Sequence, residues 1–552
     1  MRTVYTIGID FGTSNSCVTY ATYLDRGAGE VEPEPLHRPE AISFNHRDTL
    51  PTVIFLGDGK DQAPLFGEPA EEKAPFYPEL TRSGFKLQLA HLVHGRESFL
   101  LAKQFFQHLR KRTAEVVPLD KRDSSIRIET VVGHPVQWSA DQREETRRAA
   151  MEAGFPNVRL EEESMAALYS HLCDDPEGRR PKPGSRILMV DMGGGTTDFA
   201  FLQLAMAEDQ RPVSIPVDPA PSVPAWGNDR RSYGGRDLDQ LLLDYLTREW
   251  EPGLVKRNRQ ALMREIRRFK EAFSTRLREG ALEHESLWLV ADDARRVRLT
   301  KAEFETVAGE YIHHFEVLLR GALAEAKLAP RQVTHLILTG GHSRWYFVDE
   351  ALQRVLPHLS TESRTIMRHP HPEQSVARGL AYDSLVRSSA GGIMAPMRRA
   401  AHAVWVSVPN GSLTGAGGAK SGAWDEPILL LPRGQQLPFQ TRTPLRIRVE
   451  QLGLDAREAS VSVRFFNGQR KVALAERVAR FERGVWEQVS RTISSILPWA
   501  KAAVTPDQFE VLVACQVDEH ELITAELLVT RYVRGKAQEV QRQKMQLTSA
   551  AA

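Results

Sequence analysis

The chain has 552 residues, with 72 lysines and arginines against 71 aspartates and glutamates. At roughly 150 residues per domain this is about three to four folding units. A composition of 41% hydrophobic and 26% charged residues can build large cores. A net charge of +1 leaves no overall basic footprint for nucleic acid. Cys17, Cys173 and Cys515 lie far apart without CxxC or zinc spacing, which disfavours a disulfide framework or metal knuckle and suits a reducing compartment. No apolar run approaches the ~18 residues of a spanning helix. The opening MRTVYTIGID lacks an apolar leader core and reads as the first strand of a cytoplasmic protein.

In chain order, four segments read as an apolar strand ending at glycine or proline: 4–16, 128–135, 186–202 and 334–344. Between them, 139–154 reads as a helix capped by Ser139 and stopped at Gly154, and 236–246 and 264–277 show helical apolar spacing. Strands alternating with helices predict an α/β class. Asp10-Phe11-Gly12-Thr13 is echoed by Asp191-Met192-Gly193-Gly194-Gly195-Thr196, each behind an apolar strand. The echo predicts a duplicated architecture with a cleft between the halves. Residues 205–232 hold five prolines and read as a long loop. The stretch 387–402 reads as a linker between an N-terminal domain, 1–386, and a β-rich domain, 403–552. There 445–453, 459–474, 509–517 and 522–533 alternate with period two, Asn467-Gly468 is a hairpin signal, and 484–497 is helix-like.

The glycine turns carry the chemistry. Glycine lets backbone N–H groups converge on an anion, and Thr13, Ser14 and Ser16 add hydroxyls. Two such loops from opposite halves can grip a polyphosphate from both sides. Asp10 and Asp191 close their strands where a hydrated magnesium ion could sit, with Asp198 as a third carboxylate. Neither loop is a Walker A motif, and no GxGxxG leads into a helix. The HPHP run at 369–372 lacks ligand spacing, and the basic stretch 247–270 reads as an amphipathic solvated helix. Trp345, Tyr346 and Phe347 suit a core better than an adenine stack.

TIGIDFGTSNSCVTY resembles the first phosphate loop of the 70-kilodalton heat-shock chaperones, of the actin-like ATPase superfamily. Further segments resemble that family in order: VVGHPVQWSADQREETRRAAMEAG, LEEESMAALYS, DMGGGTTDFAFL, YGGRDLDQLLLDYL, LILTGGHSR and HPEQSVARGLAY, over about 1–385. The resemblance implies an α/β, duplicated actin-like ATPase fold with a two-lobed cleft binding ATP or ADP with magnesium. It implies phosphate contacts from Gly12, Thr13, Ser14, Gly193, Gly194, Gly195, Thr196 and Thr197. Adenosine contacts would come from Lys270, Ser274, Gly340, Gly341, Ser343, Arg344 and Glu373. Catalysis would fall to Asp10, Lys86, Glu162, Asp191, Thr196 and Asp198, with Asp10, Asp191 and Glu162 organising magnesium mainly through water. Pro135 and Arg143 match an interdomain switch pair, although a strand-end proline and a surface arginine explain them as well.

This chain departs from the pattern in having Arg267 at the position of an acid that reaches ribose, Glu163 after Glu162 in place of proline, and a linker without an aspartate-plus-leucine run. Residues 427–450 and 509–529 resemble the peptide-binding β-domain, and no helical lid is expected beyond it. The implied function is an ATP-hydrolysing, stress-response chaperone whose nucleotide state controls binding of unfolded polypeptide, with a co-chaperone or exchange factor as partner. No nucleic acid or membrane partner is expected, and the chain is expected to be a monomer. A nucleotide-regulated scaffold for one folded partner and a small-molecule kinase of the superfamily are the alternatives.

Overall fold

The computed structural model describes residues 2–25, 34–57, 63–89, 94–174 (less 122, 137 and 139), 181–204 (less 183), 212–217 and 233–388 (less 291, 292 and 364), and beyond these nine strands between Val404 and Gln546. The chain divides into two compact units, Met1–Pro396 and Met397–Ala552. Among the described residues no helix is long and apolar enough to cross a membrane.

The Asp-x-Gly echo is matched by a repeated strand order. In the first sheet Arg2–Asp10 is central. It pairs antiparallel with Asn15–Asp25, which pairs antiparallel with Glu34–Ala41. On its other side run Ile126–His134 and Val158–Glu162, both parallel. In the second sheet Arg186–Met192 is central, with Thr197–Leu204 and then Pro212–Pro216 antiparallel on one side. His335–Thr339 and Ile366–Arg368 run parallel on the other. Each central strand therefore turns back through a glycine loop and delivers its aspartate at the turn: Asp10 opposite Cys17, Asp191 opposite Asp198. The Pro212–Pro216 strand corrects the loop expected over 205–232. Prolines are compatible with a strand at a sheet edge, where their nitrogens need not serve a neighbour; apart from the buried Val217, the remainder of that stretch lies outside the described residues.

Two helices, Glu163–Asp174 and Ser375–Ser388, join the halves. Their side chains fill one cluster with Val131 of the first sheet (Ala166, Val376, Leu380) and another with Ile187, Met189 and Ile337 of the second (Met165, Leu168, Tyr382). The approach is close enough to require glycine. A Cβ on Gly379 would stand 1.6 Å from the Ala166 carbonyl oxygen, and one on Gly8 would stand 2.2 Å from that of Ala377. Each lobe has its own core. In the first, Phe11 packs 4.9 Å from the Phe106 ring, which anchors the residue directly after Asp10. In the second, helix Arg259–Arg278 turns Leu262, Ile266, Phe269, Lys270 and Phe273 inward and leaves Arg259, Arg268, Arg276 and Arg278 exposed, and Trp345 and Phe347 are core residues. The helix expected from 139 runs Ala140–Glu152, with Gly154 at φ +93° beyond it; Ser139 lies outside the described residues.

In the second unit Ile428–Leu431, Val404–Ser407, Glu458–Asn467 and Val472–Glu482 form one antiparallel sheet. Gln508–Val517, Ile523–Val533 and Lys536–Gln546 form another, with Phe439–Gln440 and Leu445–Val449 along its first strand. Asn467 pairs with Val472, so four residues connect that hairpin and Asn467-Gly468 is not a two-residue turn. The strand Lys536–Gln546 follows what the sequence marked as the last one. Its residues are mostly polar, as befits an edge. The expected linker beyond Ser388 up to residue 402 and the helix over 484–497 lie outside the described residues.

Substituting Gly379→Ala should destabilise the N-terminal unit by about 3 kcal/mol, the upper range for a forced methyl in a packed interior. Urea unfolding would show this as a lower midpoint at unchanged slope.

Candidate functional site

The two loops meet across the cleft. A Cβ on Gly194 would lie 2.2 Å from Ser14 Oγ, and one on Gly195 would lie 3.0 Å from Thr13 Cγ2. Loop one is pinned from outside by Thr52, which is fully buried. Its hydroxyl donates to the Gly12 carbonyl (2.8 Å), and its N–H donates to the Ser14 carbonyl (2.8 Å). Loop two is closed by Gly193 N–H on the Thr196 carbonyl (2.9 Å) and held by Thr197 Oγ1 on the Tyr233 carbonyl (2.7 Å). Thr197 thus spends its hydroxyl on the loop. Thr196 Oγ1 donates instead to Asp198 Oδ2 (2.9 Å). Ser14 Oγ is buried without a hydrogen-bond partner, an orphaned donor aimed at the gap between the loops.

Beside the loops the carboxylates crowd. Burial, then the charge of Glu163, raises the Asp10 carboxyl to about 7, against a smaller opposing pull from Lys86. Asp191 is pushed well above the ordinary carboxylate range by burial, then by Glu163, Asp10 and Asp198. Lys86 rises from a turn preceded by Gly84 in the left-handed region (φ 72°). Its ammonium meets Glu163 Oε1 at 3.2 Å, with both groups buried, and lies 5.0 Å from the Trp138 ring centre. The acid facing this cluster is therefore Glu163, which the sequence marked only as a departure from the family's proline and not as a site residue. Glu162 closes its strand, where its carboxylate accepts from Ser164 Oγ (3.4 Å). More negative charge than one ammonium can offset is what a hydrated divalent cation relieves. Among the described residues no three such groups stand close enough to ligate an ion directly.

Further along the cleft, Lys270 Nζ donates to the Gly235 carbonyl (2.8 Å) and pairs with Asp239 (2.6 Å). Ser274 is buried on the same helix. Gly340, at φ +76°, packs so closely that a Cβ would fall 2.6 Å from Asp191 Oδ1, whereas a Cβ on Gly341 would meet open space. Ser343 is wholly buried and donates to the Gly340 carbonyl (2.7 Å), so it shapes the loop. Arg344 pairs with Glu373 (2.9 Å). His342, unforeseen from the sequence, is buried against Tyr311 OH (2.8 Å), which in turn donates to the Gly234 carbonyl (2.9 Å). Burial, then nearby Lys270, keeps its imidazole neutral. Arg267 reaches across the cleft to Glu71 (2.7 Å). Arg143 is no surface arginine: it is 1% exposed and donates to the carbonyl of Val136, next to Pro135 (3.3 Å).

Two copies of one strand order, each ending in an aspartate and a glycine loop, joined by paired helices around a cleft, define an actin-like ATPase fold. The family model described as "Hsp70 protein" matches residues 105–393, just over half the chain. The chain belongs to the Hsp70 family. It is similar to the "Chaperone protein DnaK" of Endomicrobium trichonymphae, 26% identical over 360 residues, which are 62% of this chain and 52% of that relative. The chain thus spans about half the length of the curated relative it matches.

Because Asp10 is raised, its contribution to stability is full below its unfolded value near 4 and is lost as pH rises through about 7. The melting temperature of the ligand-free protein should therefore fall between pH 5 and 8 by a few degrees more in wild type than in Asp10→Asn. Equal slopes would remove the charge crowding.

Proposed function

We propose that the N-terminal unit binds ATP with magnesium between its two loops and hydrolyses it, and that the nucleotide held there sets the affinity of the β-rich unit for unfolded polypeptide. The observation that carries the reading is the meeting of Asp10 and Asp191, each at the turn of a central strand, around one buried Lys86. The fit to a nucleotide rests on the orphaned Ser14 hydroxyl and the glycine cradle at 193–195. Magnesium, held through water by Asp10 and Asp191 with Glu162 or Glu163 nearby, would supply charge neutralisation at the transferring phosphate.

Phosphoryl transfer to water depends mainly on positioning and charge. Lys86, locked by Glu163 and the Trp138 ring, presents a fixed cation to the phosphate. Thr196, its hydroxyl bonded to Asp198, can orient the attacking water and pass its proton to the carboxylate. Lys270, Ser274 and the turn at 340–344 would hold the adenosine. Membership of the Hsp70 family supports a cytoplasmic chaperone working with co-chaperones. Coupling between the units requires that a client bind more tightly in one nucleotide state than in the other.

Thr196→Ala should slow single-turnover ATP hydrolysis at least about tenfold, the loss of one modest transition-state contact, with the melting temperature kept. Unchanged turnover would remove Thr196 from the site. A fluorescent unfolded peptide should bind with clearly different affinity under magnesium-ATP and magnesium-ADP. No binding in either state, with hydrolysis intact, would favour a scaffold for one folded partner; turnover only with a small-molecule acceptor would favour a kinase.

A further inference from the structure

Arg236 stands at the junction of the two loops. It is the second residue of helix Gly235–Leu246, and its N–H donates to the Gly194 carbonyl (2.7 Å), which roots it in the second loop. Its side chain crosses to the other lobe. Nη2 donates to the Thr13 carbonyl at 3.1 Å, and Nη1 lies where a Cβ on Gly84 would meet it at 3.7 Å, two residues before Lys86. Arg236 therefore bonds the second loop through its backbone and the first through its guanidinium, which also lies beside the turn that presents the buried lysine.

Among the described residues, its charge is met by carboxylates only at a distance. Each nearby carboxylate is engaged elsewhere: Asp239 by Lys270 (2.6 Å), Glu71 by Arg267 (2.7 Å), and Asp237 by the Gly234 N–H (2.8 Å). Among the described residues, no carboxylate stands within ion-pair distance of Arg236, and its guanidinium hydrogen-bonds a neutral carbonyl. Burial, then the neighbouring charge of Arg267, holds it below its ordinary value, the mark of a cation with too little negative charge around it. A partly buried cation without a counter-ion is costly unless an anion completes it.

We propose that Arg236 is a positioning residue whose counter-ion is the polyphosphate of the bound nucleotide, met by the guanidinium's planar fork where the two loops come together. The inference rests on the nucleotide reading above and adds a residue to it. Arginine suits the task because its donors can serve a phosphate oxygen and a loop carbonyl at once, which a lysine ammonium does less well. The grip is electrostatic, so it should scale with the number of phosphates and ignore the nucleoside.

The test is equilibrium binding of adenosine, ADP and ATP, with magnesium, to full-length wild type, Arg236→Gln and Arg236→Lys, alongside melting curves of each without ligand. R236Q should weaken ATP binding about tenfold or more, the loss of a charge-assisted contact. It should weaken ADP binding less and leave adenosine binding within about twofold. R236K, which keeps the charge, should recover most of the ATP affinity, and it is the deciding arm if R236Q fails to fold. Equal losses for adenosine and ATP would make Arg236 a strap for the loops only and overturn the proposal. ATP binding unchanged in R236Q would overturn it as well. Wild-type protein that binds no ATP would overturn the nucleotide reading itself, and this inference with it.

Discussion

The crossing of helix Ser375–Ser388 over the first central strand and over helix Glu163–Asp174 is the constraint on which the two-lobed unit depends. It brings backbone to backbone at Gly8 and Gly379, and no side chain fits at either point. With the crossing made, the two central strands are held at fixed spacing and their aspartates share one cleft. If it were opened, the mutual repulsion of Asp10, Asp191 and Glu163 would weaken with distance. The energetic cost of packing like charges together is met by apolar burial on the far side of the same helices, around Val131, Leu168, Ile187 and Tyr382.

This arrangement separates two kinds of work. The clusters behind the sheets are ordinary close-packed interior and set stability. The cleft in front holds groups in unfavourable states: carboxylates raised by burial, an orphaned hydroxyl on Ser14, and a guanidinium short of a partner. Such groups are poor choices for stability and good ones for ligand-dependent behaviour, because each improves when an anion and a cation arrive together. The ion pair of Arg267 with Glu71 differs from them, since it is satisfied without a ligand and ties the two lobes at the cleft.

The strand-end aspartates and glycine loops were legible in the sequence because their signal is local: an apolar run, an acid and glycines within a dozen residues. The repeated strand order followed from the same echo. What escaped was set by meetings between distant segments or by a single residue of register. Glu162 ends a strand and Glu163 begins a helix, so adjacent side chains in a run of three glutamates leave in different directions, and only the second faces Lys86. Thr52 lies in a segment whose own pattern gives no hint of the loop it holds, and His342 and Arg236 stand inside matched motifs at positions to which the resemblance gave no role. Strand Pro212–Pro216 was hidden by its prolines, and Lys536–Gln546 by its lack of apolar alternation.

Those prolines have a consequence for the company this protein keeps. The strand lying outermost on the hairpin side of each duplicated sheet, Glu34–Ala41 in one and Pro212–Pro216 in the other, carries two prolines four residues apart, at 35 and 39 and at 212 and 216. An incoming strand would find two donors missing along either rim, so neither rim is a good template for recruiting stray chain. These two rims are thereby closed to the strand addition through which unpaired β-structure aggregates.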